Sequence, residues 1–320
     1  MNENNKSLHT KRQSALSLLN PPQTTALSWC IVTLMGDELA SKSSSLKLEV
    51  ASLTKIMTAY TAIQLCEELN LDYNEIYIRI PRIATQIGGT SAFLRRDDIL
   101  SLEELLYALM LPSGNDAAIS IALHFGFILN TQRKQKIVSY ITCDTIQGFY
   151  DDTQMSNMNR FVRQMNENAL KLGMRDSQFS NPHGLSSKAN KSTASDMCKM
   201  SSAYLKIPIL KQICNSKSYS CRNYEWFNTN QLLHFENYYG IKTGITPNAG
   251  ACLAVSYESV LGSIIVVLIG AKDQKRRFEE TDKLINWVSR EYSLYFNRTM
   301  YAPPRTAQSK GRTFIIKKQA

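Results

Sequence analysis

The sequence has no Cys-x-x-Cys pair and only 4 histidines (positions 9, 124, 183 and 234), whose spacing suits no metal site. No Gly-rich phosphate loop occurs either, so neither a metal nor any other cofactor is expected. Gly (14) and Pro (9) are sparse for 320 residues, which excludes a collagen-like or low-complexity chain. The 7 cysteines (30, 66, 143, 198, 214, 221 and 252) leave an odd one over and sit mostly in apolar or periodic segments. Free core thiols fit that pattern better than a disulfide framework does, and they favour a reducing compartment. The longest apolar run, VLGSIIVVLIGA at 260–271, is too short to span a bilayer and is rich in β-branched residues, so it reads as a buried strand. The opening MNENNKSLHTKRQSALSLLNPPQ lacks a hydrophobic run of signal-peptide length. The apolar stretch from Ala26 to Met35 lacks a small-residue cleavage site and reads as a first core strand turning at Gly36 and Asp37.

What is present is ordinary globular composition, 43% hydrophobic and 20% charged, enough for one large domain or two modest ones. The net charge of +10 invites a nucleic-acid reading, but much of the excess lies in the chain ends. Arg305, Lys310, Arg312, Lys317 and Lys318 have no acidic neighbour beyond residue 300, and Lys6, Lys11 and Arg12 face only Glu3. Terminal basic residues are usually solvated, and no nucleic-acid signature accompanies them, so no nucleic-acid partner is expected.

Residues 1–24 read as a disordered leader ending in Pro21 and Pro22. An opening hairpin follows, from SWCIVTLM and a segment near 38–49. Apolar residues at 53, 56, 57, 60, 63, 65 and 69 predict a helix from Ser52 to Leu69, buried on more than one side. Residues 73–100 read as short extended pieces. Ser101 and Glu104 form a capping box that opens a helix through Met110. Pro112-Ser-Gly-Asn115 breaks it, and Asp116 is placed to cap the next helix, AAISIALHF. Residues 126–156 read as an inserted loop, and Asn157 to Leu172 as an amphipathic helix stopped by Gly173. A helix capped by Ser192 should run to about Leu205, with a shorter one from Pro208. SKSYSC, YYGIKTGIT, ACLAVSY and GSIIVVLIGA then suggest an antiparallel meander, and a helix over about Lys275 to Leu294 should bury Phe278, Leu284, Ile285 and Trp287. The fold class is α+β: a sheet built from both chain ends, with a helical subdomain between them.

Three short motifs fall on these elements. Ser52-Leu-Thr-Lys55 starts the central helix, Ser113-Gly-Asn115 turns between two helices, and Lys242-Thr-Gly244 lies on a strand. Each alone has a bland explanation. Serine is a preferred N-cap, turn residues satisfy local backbone, and strand lysines snorkel. Ser44 and Lys47 repeat the first spacing with no partner motif. In this order and on these elements, however, the three resemble the Ser-x-x-Lys, SDN-type and Lys-Thr-Gly signature of class A β-lactamases and penicillin-binding proteins.

The stretches ASLTKIMTAY, LEELLYALMLPSGNDAA, MNENALKLGM, NPHGL, STASDM, NTNQLL and GIKTGITPNAGACLAV resemble the serine-type D-alanyl-D-alanine carboxypeptidases, the low-molecular-mass penicillin-binding proteins of the S11 peptidase type. The resemblance covers roughly residues 27–290 apart from the insert. It implies the serine β-lactamase/D,D-peptidase (transpeptidase-like) fold, with a five-stranded antiparallel sheet flanked by helices and a site between sheet and helical subdomain. The expected division is a leader (1–24), one catalytic domain (25–295) carrying the 126–156 insert, and a basic tail (296–320).

Acyl transfer needs a nucleophile, a base, an oxyanion hole and a clamp for the substrate's carboxylate. Ser52 supplies a hydroxyl, and Lys55, three residues on, shares its helix face. The apolar neighbours Leu53, Ile56 and Met57, with Lys242 brought near as the resemblance implies, should lower the Lys55 pKa towards that of a base. Ser113 is placed to relay the proton to the leaving amine, and Asn115 to hold the substrate amide and the lysine. Lys242 and Thr243 would bind the terminal carboxylate, Gly244 lets substrate approach, and the N–H groups of Ser52 and Ile245 form the oxyanion hole. Lys272 takes the further cationic position, with Lys275, Arg276 and Arg277 as competitors, and His183 structures its loop.

The implied activity is hydrolysis of a D-Ala-D-Ala terminus in a peptidoglycan-type peptide, with β-lactams as covalent inhibitors. The alternatives are a β-lactamase-like hydrolase, for which no Glu-x-x-Leu-Asn segment is found, and a family member acting on another peptide. Family members act outside the cytoplasm, whereas this sequence shows no export signal, so the compartment stays open between cytoplasm and non-classical export.

Overall fold

The computed structural model describes residues 20–132, 150–259 and 262–300, apart from the side chains of 150–153 and 294–300. The expected leader through 19, the insert's middle at 133–149 and the tail from 301 lie outside the described residues.

Strands β1 (Ser28–Thr33) and β2 (Glu38–Lys42) form the expected hairpin, with Gly36 at φ 95° in its turn. They join β7 (Tyr238–Thr246), β8 (Gly250–Ser259) and β9 (Gly262–Ala271) in a five-stranded sheet ordered β2-β1-β9-β8-β7, every neighbour antiparallel. Both chain ends thus build one sheet. The run SIIVVLIG is apolar without alternation because both faces of β9 are covered. Ile265, Val267 and Ile269 point with Cys30 and Val32 into the larger core, towards α1 (Thr54–Leu69) and α5 (Ala194–Leu205). Ile264, Val266 and Leu268 point with Trp29 and Ile31 towards Phe278, Leu284, Ile285 and Val288 of α7 (Gln274–Met300). Each such buried side chain contributes about 1.5–3 kcal/mol of transfer free energy, so the sheet is the rigid floor of the molecule.

The helical half holds α2 (Leu102–Met110), α3 (Asn115–Gln132) and α4 (Tyr150–Lys171), with α1 threaded between it and the sheet. The Ser101 to Glu104 capping box is formed in both directions. Strands β3 (Tyr77–Arg79) and β4 (Ile99–Ser101) make a small ladder before α2, and α6 (Pro208–Asn215) follows α5.

Four expectations change. Residues 126–132 continue α3 and 150–156 begin α4, so helix takes up both ends of the expected 126–156 insert. Thr193, not Ser192, caps α5, its hydroxyl accepting from the Asp196 N–H; Ser192 is held in a bridge with Leu48. SKSYSC stands outside the meander: β5 (Ser218–Cys221) pairs only with β6 (Tyr224–Phe227). Tyr219 of that hairpin stacks on Tyr107, ring centroids 3.7 Å apart, tying it to α2. Finally, Asp116 lies inside the first turn of α3, and its carboxylate reaches back to an earlier loop.

The six described cysteines are free, and five of them are buried. No described helix is long and apolar enough to cross a membrane.

Candidate active site

Ser52 sits in a single 3-10 turn, Ala51–Leu53, that leads into α1. Two glycines allow the chain to close on this turn from opposite sides. A Cβ on Gly184, in the NPHGL loop, would lie 2.0 Å from the Ala51 carbonyl oxygen, and one on Gly244 would lie 2.9 Å from the Ser52 nitrogen. The serine backbone is therefore clamped between the loop after α4 and β7 at the edge of the sheet.

Lys55 projects from the first turn of α1 into a wholly buried position. Its Nζ donates to Ser52 Oγ at 3.0 Å, to Asn115 Oδ1 at 2.7 Å and to the His183 carbonyl at 2.7 Å. Burial pulls its pKa down to about 7, and Asp116 partly opposes this by favouring the charged form. Asn115 is oriented by its other end, since Nδ2 donates to the Gly88 carbonyl at 2.7 Å and leaves Oδ1 facing the lysine. Ser113, at φ 69°, carries a buried hydroxyl with no protein partner and lines the same cavity as Ser52. His183 accepts from the Leu185 N–H through Nδ1, and burial lowers its pKa to about 3. It is a neutral loop-structuring residue.

On the sheet side, Lys242 is buried and donates to the Thr243 carbonyl at 3.2 Å. Its pKa is lowered well below the usual value by burial, then by Lys55 and Arg277. Arg277, one turn into α7, is also buried, and its Nη1 donates to the Gly244 carbonyl at 3.0 Å. Burial brings its pKa to about 10, so it stays cationic at neutral pH. Lys55, Lys242 and Arg277 thus converge beside a cavity of about 490 Å³. Ser52, Ser113, Asn115, Thr243, Gly244 and Ile245 line it, and so does Arg277.

The structure moves one expected residue out of this group, because Lys272 is exposed and does not line the cavity. It stands at the end of β9 before α7 begins, with its N–H bonded to Thr25 Oγ1, whereas the helix turns Arg277 inward. The motifs in the sequence also assigned nothing to Thr90, Asn228 or Thr229, all cavity-lining. The Asn-Thr-Asn triplet at 228–230 was the available signal. Both asparagines tie down the chain through side chain to backbone bonds, Asn228 to Cys214 and Ser216, Asn230 to Gly240.

A serine beside a buried lysine, between a five-stranded antiparallel sheet and a helical half, defines the fold of the active-serine D,D-peptidases. The chain belongs to the D-alanyl-D-alanine carboxypeptidase family, whose model matches residues 16–126 and 153–273 and passes over the stretch between. It is similar to the D-alanyl-D-alanine carboxypeptidase DacF of Bacillus subtilis, 27% identical over 266 residues, 81% of this chain and 61% of that one. With DacC of Escherichia coli the identity is 29% over 284 residues, 86% of this chain and 64% of DacC. The chain therefore spans a little over three fifths of these relatives' length. Among solved structures, the Streptomyces K15 DD-transpeptidase superposes with a TM-score of 0.72 at 24% identity, covering 84% of this chain and 99% of that one. Penicillin binding protein 6B from Escherichia coli superposes at 0.68 with 28% identity, covering 84% and 78%.

Proposed function

We propose that this chain is a serine-type D-Ala-D-Ala carboxypeptidase that works through an acyl-enzyme on Ser52. The observation that carries the reading is the 3.0 Å contact between Ser52 Oγ and a buried Lys55 whose pKa lies at about 7. A neutral lysine amine takes the serine proton as Oγ bonds to the carbonyl carbon of the penultimate residue. The oxyanion that forms faces the N–H groups of Ser52 and Ile245. Each such donor contributes on the order of 3 kcal/mol to lowering the barrier. The proton passes through Ser113 to the leaving nitrogen, the C–N bond breaks, and the terminal D-alanine departs. Water, deprotonated by the same lysine, then attacks the ester and restores the Ser52 hydroxyl.

Asn115 holds Lys55 and can donate to the substrate amide when its Nδ2 leaves Gly88. The terminal carboxylate is bound by the Thr243 hydroxyl with Lys242 and Arg277 behind it. Arg277 takes the place that the family resemblance gave to Lys272. Arg277 stays cationic at neutral pH beside Lys242, and no carboxylate is among the cavity-lining residues, which supports an anionic ligand end. Peptides ending in D-Ala-D-Ala are the proposed substrates and β-lactams the covalent inhibitors.

The test is labelling with a fluorescent penicillin. Wild-type protein is expected to carry one covalent label, and Ser52→Ala none. Folded wild type that takes no label refutes the acyl-enzyme, and label that survives the substitution refutes Ser52.

A further inference from the structure

Thr243 faces the cavity with one hydroxyl proton, and that hydroxyl is already engaged. Its Oγ1 lies 2.7 Å from Oγ1 of Thr229, a length typical of a good O–H···O bond. Thr229 has one other acceptor in reach, the Leu111 carbonyl, at a long 3.3 Å. Two protons and three oxygens allow two arrangements. In the first, Thr229 donates to Leu111 and Thr243 spends its proton on Thr229. In the second, Thr229 donates to Thr243, and the Thr243 proton is free to point into the cavity.

From this hydroxyl pair we infer that Thr229 is a positioning residue: by donating to Thr243 it aims the Thr243 proton at the carboxylate of the substrate. The inference rests on the reading proposed above. A carboxylate is a stronger acceptor than a hydroxyl or a peptide carbonyl, so its arrival selects the second arrangement. Thr229 then gives up only its long bond to Leu111. The series from Thr229 to Thr243 to carboxylate is a chain of hydrogen bonds that polarise one another.

The backbone around Thr229 is fixed well enough for this. Its N–H donates to the Leu111 carbonyl at 3.2 Å. Asn228 holds the carbonyls of Cys214 and Ser216 at 3.1 and 3.0 Å, and Asn230 holds the Gly240 carbonyl on β7 at 3.0 Å. The segment is thereby fastened to α6 on one side and to Thr243's own strand on the other. Thr243 also has few other ways to be oriented: its carbonyl accepts from Lys242, and its side chain is nearly buried.

The experiment compares acylation of the full chain by benzylpenicillin, which bears a carboxylate, with acylation by its methyl ester, which does not. Intact-mass kinetics give both rates for wild type, Thr229→Val, Thr229→Ser, Thr243→Val and the double valine variant, with a thermal midpoint for each. Thr229→Val should lower the benzylpenicillin rate about fivefold, the ratio that one neutral hydrogen bond carries, and leave the ester rate unchanged. Thr229→Ser should restore it. In the Thr243→Val background, the second valine should cost nothing further, because Thr229 then has nothing to aim. An unchanged benzylpenicillin rate in Thr229→Val, or an equal loss on both reagents, overturns the inference. A cost that persists without the Thr243 hydroxyl overturns it in favour of direct contact between Thr229 and substrate. Wild type unreactive towards both reagents overturns the acyl-enzyme reading itself, and this inference with it.

Discussion

Lys55 Nζ and Ser52 Oγ stand 3.0 Å apart, and the lysine is fully buried. Its pKa of about 7 makes the amine, rather than the ammonium, the species present above neutrality. The sign is fixed by the role: a general base must be unprotonated, so acylation should rise with pH through about 7 and level off above it. The rate constant for penicillin acylation, measured from pH 5 to 9, checks this. Lys55→Arg keeps the charge and cannot deprotonate, so it should abolish acylation across the whole range.

Asp116 modulates that lysine from beneath. Its carboxylate favours the charged form of Lys55, and it accepts from the N–H groups of Ala92 and Leu94 at 3.0 Å each and from the Ser91 hydroxyl at 2.7 Å. Asp116→Asn removes the charge, so the Lys55 pKa falls further and the acidic limb of the acylation profile moves to lower pH. One amide N–H₂ would also face a backbone donor. A buried donor left unpaired costs about 1–3 kcal/mol, which chemical denaturation should report as lost stability.

The central helix, the capping box of α2 and the β7-β8-β9 meander were legible because each is written in local periodicity and local caps. The gathering of Ser52, Lys55, Ser113, Asn115 and Lys242 was legible only through the family resemblance that their motifs carry, since the spacing within each motif says nothing of how positions 52, 113 and 242 meet. What was not legible depends on how distant segments meet. SKSYSC alternates like any strand, and nothing local says that it pairs with β6 rather than with β7. Lys272 and Arg277 are separated by a few residues of strand end and helix start, and only the packing of α7 against β8 and β9 decides which one faces the cavity. Thr229 is an ordinary threonine until the fold sets it against Thr243.

That difference between the two cations is open to measurement. Arg277 is 4% exposed and bonded to the Gly244 carbonyl, whereas Lys272 is solvent-exposed. Arg277→Met should raise KM for a D-Ala-D-Ala peptide and lower kcat/KM by about 10- to 100-fold, as expected for loss of a charged partner from a desolvated site. Lys272→Met should stay within about twofold of wild type, because an exposed charge is screened. Steady-state kinetics on the two variants would reveal the reverse order if Lys272 held the carboxylate.

The lifetime of the β-lactam adduct follows from what surrounds Ser52. Release of the adduct needs a base that can present water to the ester carbonyl. Among the described residues lining the cavity there is no carboxylate to do so, and in the proposed mechanism Lys55 is the base. After peptide acylation the leaving D-alanine diffuses away and vacates the space where water must enter. After β-lactam acylation the leaving amine stays joined to the acyl group and fills that space. Lys55 therefore has a path to water in the first case and a blocked one in the second. With a chromogenic cephalosporin, a stoichiometric burst should be followed by slow turnover, and the adduct should be visible by intact mass long after mixing. Rapid multiple turnover with no accumulating adduct would place the chain with the β-lactamase-like hydrolases instead.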